Sequence, residues 1–490
     1  MGRVRSVGWL AFGAGFADRS GSGSFAVGCR GGVGGGTAVF LLTLIHPFFG
    51  LGLVLLLGPF GALERVLFGL GVDSGQLLLL LTLAAWLARS LVRRRIWLRP
   101  TFLNAPLFLF LLVMALTLLD APALADGLKE VLKWIQAGLL LLLVVDLGRE
   151  MEENGRSPLW LMSGLLLLPG LLQAGIGIWQ FGLRGTGPDH FLVLGRFYRA
   201  SGSFEQPNPY GGFINLSLLL AAGILLGLVA VAARRWREKR PGFSLRQRRV
   251  WGPIALMGGL TGLLALALVF SWSRGAWLGF AAGTAVLLLF WPQQRRWGWA
   301  LLLAAALLFW FSLQLGLIPA GIADRLVGFS QDLQLGDARG VDITDTNYAV
   351  LERLAHWQAA LDMARNDLWL GVGFGNYAAV YADYALINWP DALGHAHNYY
   401  LNLLAEVGFL GLLAYLILWG LIFWQTGQLL RQFNGAERGI ALGLLAVWAS
   451  LTVHHLVDKL YVNNLYLHLG VMWGLLALLA DKARQNWEVR

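Results

Sequence analysis

The sequence predicts an all-α polytopic membrane protein. Three observations carry that class. Of 490 residues, 57% are apolar and only 13% charged. The mean hydropathy is +0.62, far above that of a water-soluble domain. Runs of about 20 apolar residues recur along the whole length, each long enough to cross a bilayer as a helix. In lipid every backbone group must bond within its own segment, so runs rich in Leu, Ala and Gly are read as helices rather than barrel strands.

About twelve spans follow in order: roughly 37–57, 75–92, 104–119, 131–147, 158–182, 209–233, 251–272, 276–294, 298–318, 397–425, 439–457 and 465–481. The pair His46-Pro47 threatens to break the first. The fourth is short and is preceded by Lys129, Glu130 and Lys133, which leaves its start uncertain. Residues 1–36 are rich in Gly, Ser and Arg and hold no spanning run. They are expected to be disordered or to reflect a start codon placed too early, because no clear h-region is followed by a cleavage site. The expected layout is therefore that segment, then spans one to nine over 37–318, a long loop over 319–396, and spans ten to twelve with a tail over 397–490.

Charge sets the expected orientation. With both termini cytoplasmic, about two thirds of the 38 Lys and Arg residues fall inside, including Arg89–Arg99 and the stretch 234–249. The net charge of +10 thus reports membrane topology rather than a nucleic-acid partner. The single Cys29 excludes a disulfide within the chain and a cysteine-rich metal site.

Two segments on the outer side are long, 183–208 and 319–396. Within the second, residues 347–366 read as an amphipathic helix in which Val350, Leu354, Trp357, Leu361 and Ala364 share the apolar face. The following loop, 367–377, has Gly371, Gly373 and Gly375. It can bring backbone close to a ligand, but it lacks the lysine and Ser/Thr of a P-loop.

The unusual polar residues gather at the outer ends of helices. Arg274 sits in FSWSRGAWLGF between two spans. An arginine near bilayer depth costs roughly 2.5–3.5 kcal/mol unless it faces a polar cavity. Its planar fork suits phosphate oxygens, and a snorkelling helix-end arginine is the equal alternative. Arg199 precedes the turn ASGSFEQPNPYGG, and Arg196 lies three residues earlier; solvated loop arginines are the alternative for both, with Arg196 the weaker candidate. His397 suits a general base, since its ordinary pKa lies near 6.5. Asn398, Asn402 and Glu406 follow at i+4 spacing and make one polar stripe. Glu406 lies on the order of 12–14 Å from His397 along the helix, too far to pair, and reads as a buried hydrogen bond between helices. His395 and His397 have no third histidine or carboxylate pair beside them in the sequence, so no metal is expected. His454, His455 and Asp458 end the eleventh span.

Four motifs then occur in order: RASGSFEQPNP at 199–209, SWSRGAWLG at 271–279, a W-x-A-A-L-x-M segment leading to LGVGFGN at 357–376, and HAHNYYLNLLAEVGFLG at 395–411. Together they resemble the O-antigen ligase/O-antigen polymerase superfamily of bacterial envelope membrane proteins, over roughly residues 40–480. The resemblance implies a GT-C-like bundle of about twelve membrane helices with a large periplasmic loop. It implies a metal-independent, inverting glycosyltransferase of the bacterial inner membrane, with its site facing the periplasm and no cofactor. The implied donor is an undecaprenyl-pyrophosphate-linked glycan, and the acceptor is lipid A-core or another envelope glycan. By motif, Arg199 and Arg274 take the pyrophosphate positions and His397 the catalytic one, with His395, Asn398, Arg196, Asn402 and Glu406 in support. A chain polymerase remains the alternative, and so does transport, as in bicarbonate-type relatives. A transporter calls for mid-membrane charges, discontinuous helices and an internal repeat; no clear repeat is visible.

Overall fold

The computed structural model describes residues 36–69, 72–93, 100–238, 248–332, 337–344 and 347–488. Residues 1–35, expected from sequence to be disordered or wrongly included, lie outside the described residues. So do parts of the basic stretches 89–99 and 234–249.

The protein is an all-α membrane bundle. Ten helices are long and apolar enough to cross a bilayer, among the described residues. Each of the twelve expected spans contains a helix. The first is displaced from the expected 37–57: the membrane-length stretch runs over Pro47–Leu67 and begins with α2 (Pro47–Leu57), where Pro47 takes the first helical position, while α1 (Gly36–Ile45) is a separate short helix before His46. After α3 (Gly61–Phe68) come α4 (Ser74–Val92) and α5 (Asn104–Thr117), the latter only 14 residues long. The fourth span is longer than the apolar run. α6 covers Leu124–Glu153 because its charged first turns pair internally, Lys129 with Asp126 at 2.8 Å and Lys133 with Glu130. Next are α7 (Pro158–Gly182), α8 (Pro207–Arg237), α9 (Arg248–Phe270), α10 (Arg274–Phe290) and α11 (Arg295–Gln314). The bundle closes with α15 (Tyr399–Gln432), α16 (Gly435–His454) and α17 (Leu465–Glu488).

Small residues bring the central helices together. A Cβ on Gly223 or Gly227 of α8 would strike the backbone of Gly443 or Gly435 at 2.3 and 2.7 Å, so α8 and α16 cross nearly backbone to backbone. α17 is the most enclosed span, with 89% of its apolar stretch buried; α11 has 6% and faces lipid.

The two long loops carry the remaining elements. A short hairpin, β1 (Leu192–Val193) with β2 (Phe197–Tyr198), follows α7. Helices α12 (Ala320–Asp332), α13 (Tyr348–Asn366) and α14 (Tyr377–Val380) lie between α11 and α15. The amphipathic helix forms where expected, but its buried face is rotated. Leu351, Ala355, Ala359 and Met363 are buried, as is Ala364 of the expected face, while Val350, Leu354, Trp357 and Leu361 are only half-buried. The alanines allow closer approach than the larger residues would, so the face of small side chains docks.

The loop 367–377 also departs from expectation. Its backbone approaches α15 rather than open space. Gly408 breaks α15 with φ 61° and ψ −165°. The amides of Val372 and Gly373 donate to the carbonyls of Ala405 and Glu406 at 2.9 and 3.0 Å, and those of Phe409 and Leu410 to Leu368 and Trp369 at 2.7 and 3.3 Å. The loop thus fills the break and satisfies the backbone groups it frees. A Cβ on Gly408 would meet the Trp369 backbone at 2.3 Å, and Gly371 has φ 67°, so only glycine fits both places.

Candidate active site

The tight turn between α9 and α10 builds the first half of the site. Trp272 takes φ 52°, an uncommon value for a bulky residue, so the Ser271 and Trp272 carbonyls are free to accept from side chains. Arg199 Nε donates to the Ser271 carbonyl at 3.1 Å, and Arg325 Nη2 to that of Trp272 at 3.3 Å. Asn208, at the start of α8, accepts from Ser273 Oγ at 2.8 Å and from Arg199 Nη2 at 3.4 Å. Ser273 caps α10, and Arg274 is that helix's first residue. A helix N-terminus itself favours anions.

These arginines crowd one another. Burial, followed by the positive charges of Arg325, Arg274 and Arg353, pushes the Arg199 pKa down to about 9. Burial, then Arg274 and Arg353, pushes Arg325 down to about 10. Every charged group acting on either one is another arginine. The Nε atoms of Arg325 and Arg353 are buried without a hydrogen-bond partner. Such unspent donors in a low-dielectric pocket favour an anionic ligand.

Histidines form the second half. Asn398 caps α15, accepting from the amides of Tyr400 and Leu401 at 3.0 and 3.1 Å, and Tyr399 N donates to the His455 carbonyl at 2.8 Å. Just before this start, His397 adopts φ 50°. Its amide donates to His395 Nδ1 at 3.1 Å, which leaves the proton of His395 on Nε2. That atom faces Asp458 Oδ1 at 3.9 Å. The His397 ring lies edge to face with His395 and His356, at centroid distances of 4.5 and 5.6 Å, and its Nε2 is buried without a partner. Burial is the main cause that lowers the pKa of both His395 and His397 to about 3. Both rings are therefore neutral at pH 7.

Further contacts fix this half from below. Asn402 Oδ1 accepts from Ala396 N at 3.1 Å, and Glu406 Oε1 accepts from Tyr377 N at 3.2 Å. Glu406 thus bonds the first amide of the short helix α14 rather than another membrane span. The Tyr377 hydroxyl donates to the His356 carbonyl at 3.2 Å and lies 2.9 Å from His356 Nδ1. Its one proton is spent, so Nδ1 is the donor there and His356 Nε2 carries a lone pair. Lys459, buried next to Asp458, pairs with Glu130 at 3.6 Å and ties the α16–α17 loop to α6.

The structure brings Arg199 and Arg274 together, and Arg353 links their charges to His395 and His397, whose pKa values it also lowers. It does not bring Arg196 in: that residue is exposed at the hairpin tip, its guanidinium 4.4 Å from the Phe197 ring. Sequence reasoning missed Arg325, Arg353, His356 and Asn208 as site residues. It also saw no carboxylate beside the histidine pair. In space Asp458 supplies one, and ligating atoms of His395, His397 and Asp458 lie within 4.8 Å of one another. Lys459 and Arg353 disfavour positive charge on His395, whereas Glu130 favours it there and Asp458 favours it on His397.

Fold and site together define a multi-pass membrane protein with a half-buried cluster of arginines beside neutral histidines. Residues 259–416, about a third of the chain, match the family described as O-Antigen ligase. That matched stretch makes the chain similar to the O-antigen ligase and polymerase superfamily, a likeness that supports glycosyltransferase-type membrane chemistry in general terms. The matched stretch contains Arg274, Arg325, Arg353, His356, His395, His397 and Glu406, whereas Arg199 and Asp458 lie outside it. No curated protein matches the chain.

Proposed function

We propose that the protein transfers a glycan from an undecaprenyl-pyrophosphate carrier to lipid A-core or another envelope acceptor, at the periplasmic face of the bacterial inner membrane with both termini cytoplasmic. One observation carries this reading: arginines with unspent donors stand beside a neutral histidine whose Nε2 has no partner. The acceptor hydroxyl attacks the anomeric carbon as His397 takes its proton. The bond from that carbon to the phosphate oxygen breaks, and its electron pair stays on the pyrophosphate. Arg199, Arg274, Arg325 and Arg353 meet the growing negative charge, so no metal is required. A single displacement inverts the anomeric carbon. Because burial holds His397 near 3, the base stays unprotonated far below pH 7.

Polymerase activity is the same chemistry with a second carrier-linked glycan as acceptor. The transport reading gains one feature from the broken helix α15. That break is filled by the chain's own loop, whose amides bond the liberated carbonyls of Ala405 and Glu406 and occupy the place an ion would take.

The test is a transfer assay with purified protein, a synthetic undecaprenyl-pyrophosphate glycan and a panel of acceptors, with and without EDTA. Product on lipid A-core marks a ligase; a ladder on the carrier marks a polymerase. Loss of activity in His397→Ala, Arg199→Ala and Arg274→Ala, with no effect of EDTA, is the expected result. An unaltered His397→Ala enzyme defeats the mechanism.

A further inference from the structure

A second polar pocket opens at the other end of the bundle. The α4 helix gives the direction. At its N-terminal end Asp73 bonds Asn464, in the loop that also carries Asp458, at 2.9 Å. Arg89 lies at its other end, about 22 Å further along. There a pocket of about 720 Å³ forms between α2, α4, α6 and α7.

Its lining is split by polarity. One side presents Arg89, Glu150, Asn154 and Arg156; the other presents apolar residues, among them Phe49 and Leu161. The last two are 38% and 40% exposed and belong to apolar, membrane-length helices, so the pocket has an exposed apolar edge. The polar side has surplus positive charge. Glu150 is shared by two guanidinium groups, Arg89 at 2.6 Å and Arg93 at 3.1 Å. Arg156 lines the pocket, and among the described residues its side chain has no ion-pair or hydrogen-bond partner. It also lines a neighbouring pocket of about 740 Å³ at the same end.

We propose that this pocket binds the phosphate headgroup of an anionic phospholipid from the adjacent leaflet, with the acyl chains leaving past Phe49 and Leu161. Guanidinium groups suit phosphate oxygens, and basic pockets between membrane helices recognise anionic headgroups. A free phosphate fills only the polar side and leaves the apolar side empty. A zwitterionic lipid fills both but adds a positive charge next to Arg156.

The experiment uses delipidated full-length protein in detergent, titrated with phosphatidylglycerol, phosphatidylcholine or glycerol phosphate. Native mass spectrometry reads retention and thermal unfolding reads stabilisation. Phosphatidylglycerol is expected to bind and to raise the melting temperature more than the other two. Arg156→Gln, at an exposed position that the fold does not use, is expected to weaken its retention about fivefold. Equal retention of phosphatidylcholine, or no change in Arg156→Gln, overturns the proposal. Stabilisation by glycerol phosphate matching that by phosphatidylglycerol also overturns it, in favour of a soluble anion.

Discussion

The two ends of the bundle treat arginine in opposite ways. At the end remote from the histidines, several basic side chains meet carboxylates: Arg89 and Arg93 share Glu150, Arg149 meets Asp481 at 2.5 Å, and Lys482 meets Glu437, although Arg438 there donates to the main-chain carbonyls of Phe290 and Trp291. At the site end, Arg199 and Arg325 bond to main-chain carbonyls, and the charges around them are other arginines. A paired cation completes itself. A crowd of cations raises the energy of the empty protein and is relieved only by something negative from outside. The first arrangement serves the fold and the second serves a ligand.

The largest expected contrast tests this division directly. Arg325→Ala and Arg353→Ala should each lower the transfer rate by roughly 10²–10³-fold, as for loss of one charge-stabilising donor. Arg149→Gln at the opposite end should leave the rate within about twofold and cost about 1 kcal/mol or less of stability. Similar rate losses at both ends would erase the distinction. Gly408→Ala comes next: it forces a Cβ into the Trp369 backbone at a left-handed position. We expect a loss of roughly 2–4 kcal/mol, read as a lower melting temperature and reduced yield.

Tyr377→Phe sharpens the role of the loop. It removes the hydroxyl that holds His356 Nδ1 and so frees the ring beside His397. The expected result is about a tenfold lower kcat with KM nearly unchanged. A purely structural hydroxyl would shift melting temperature and leave kcat alone.

The smallest effect is the pH dependence of stability. Burial lowers His395 and His397 from about 6.5 to about 3 and His356 to about 4. Between those values the unfolded chain binds protons that the folded chain does not. Stability from these groups is therefore full above pH 6.5 and declines as pH falls toward 3. Thermal melts across pH 4–7 should show that slope, and His395→Asn should flatten part of it.

The spans were legible because long apolar runs leave the backbone one solution in lipid. Arg199, Arg274 and His397 stood out because each is a polar residue next to such a run. Arg325 and Arg353 did not, since they occur in a loop already rich in charge. The hidden signal was the i+4 pair Ala355 and Ala359. Small residues mark the face that docks closest, and His356 lies beside it. The break in α15 was equally hidden, because Gly408 and Gly411 look ordinary in an apolar helix. Only pairing with Gly371, Gly373 and Gly375, some 35 residues earlier, gives Gly408 its meaning.

That break has a practical consequence for exchanging parts between relatives. The segment from Tyr399 to Val407 is bonded to the loop before it, through Gly373, Tyr377 and Ala396, while residues beyond Gly408 form a rod of 24, sufficient alone to cross a bilayer. A chimera intended to transplant acceptor preference should therefore be joined at Gly408. Joining it at Tyr399, where the helix formally begins, would separate a loop from the half-helix that completes its hydrogen bonding.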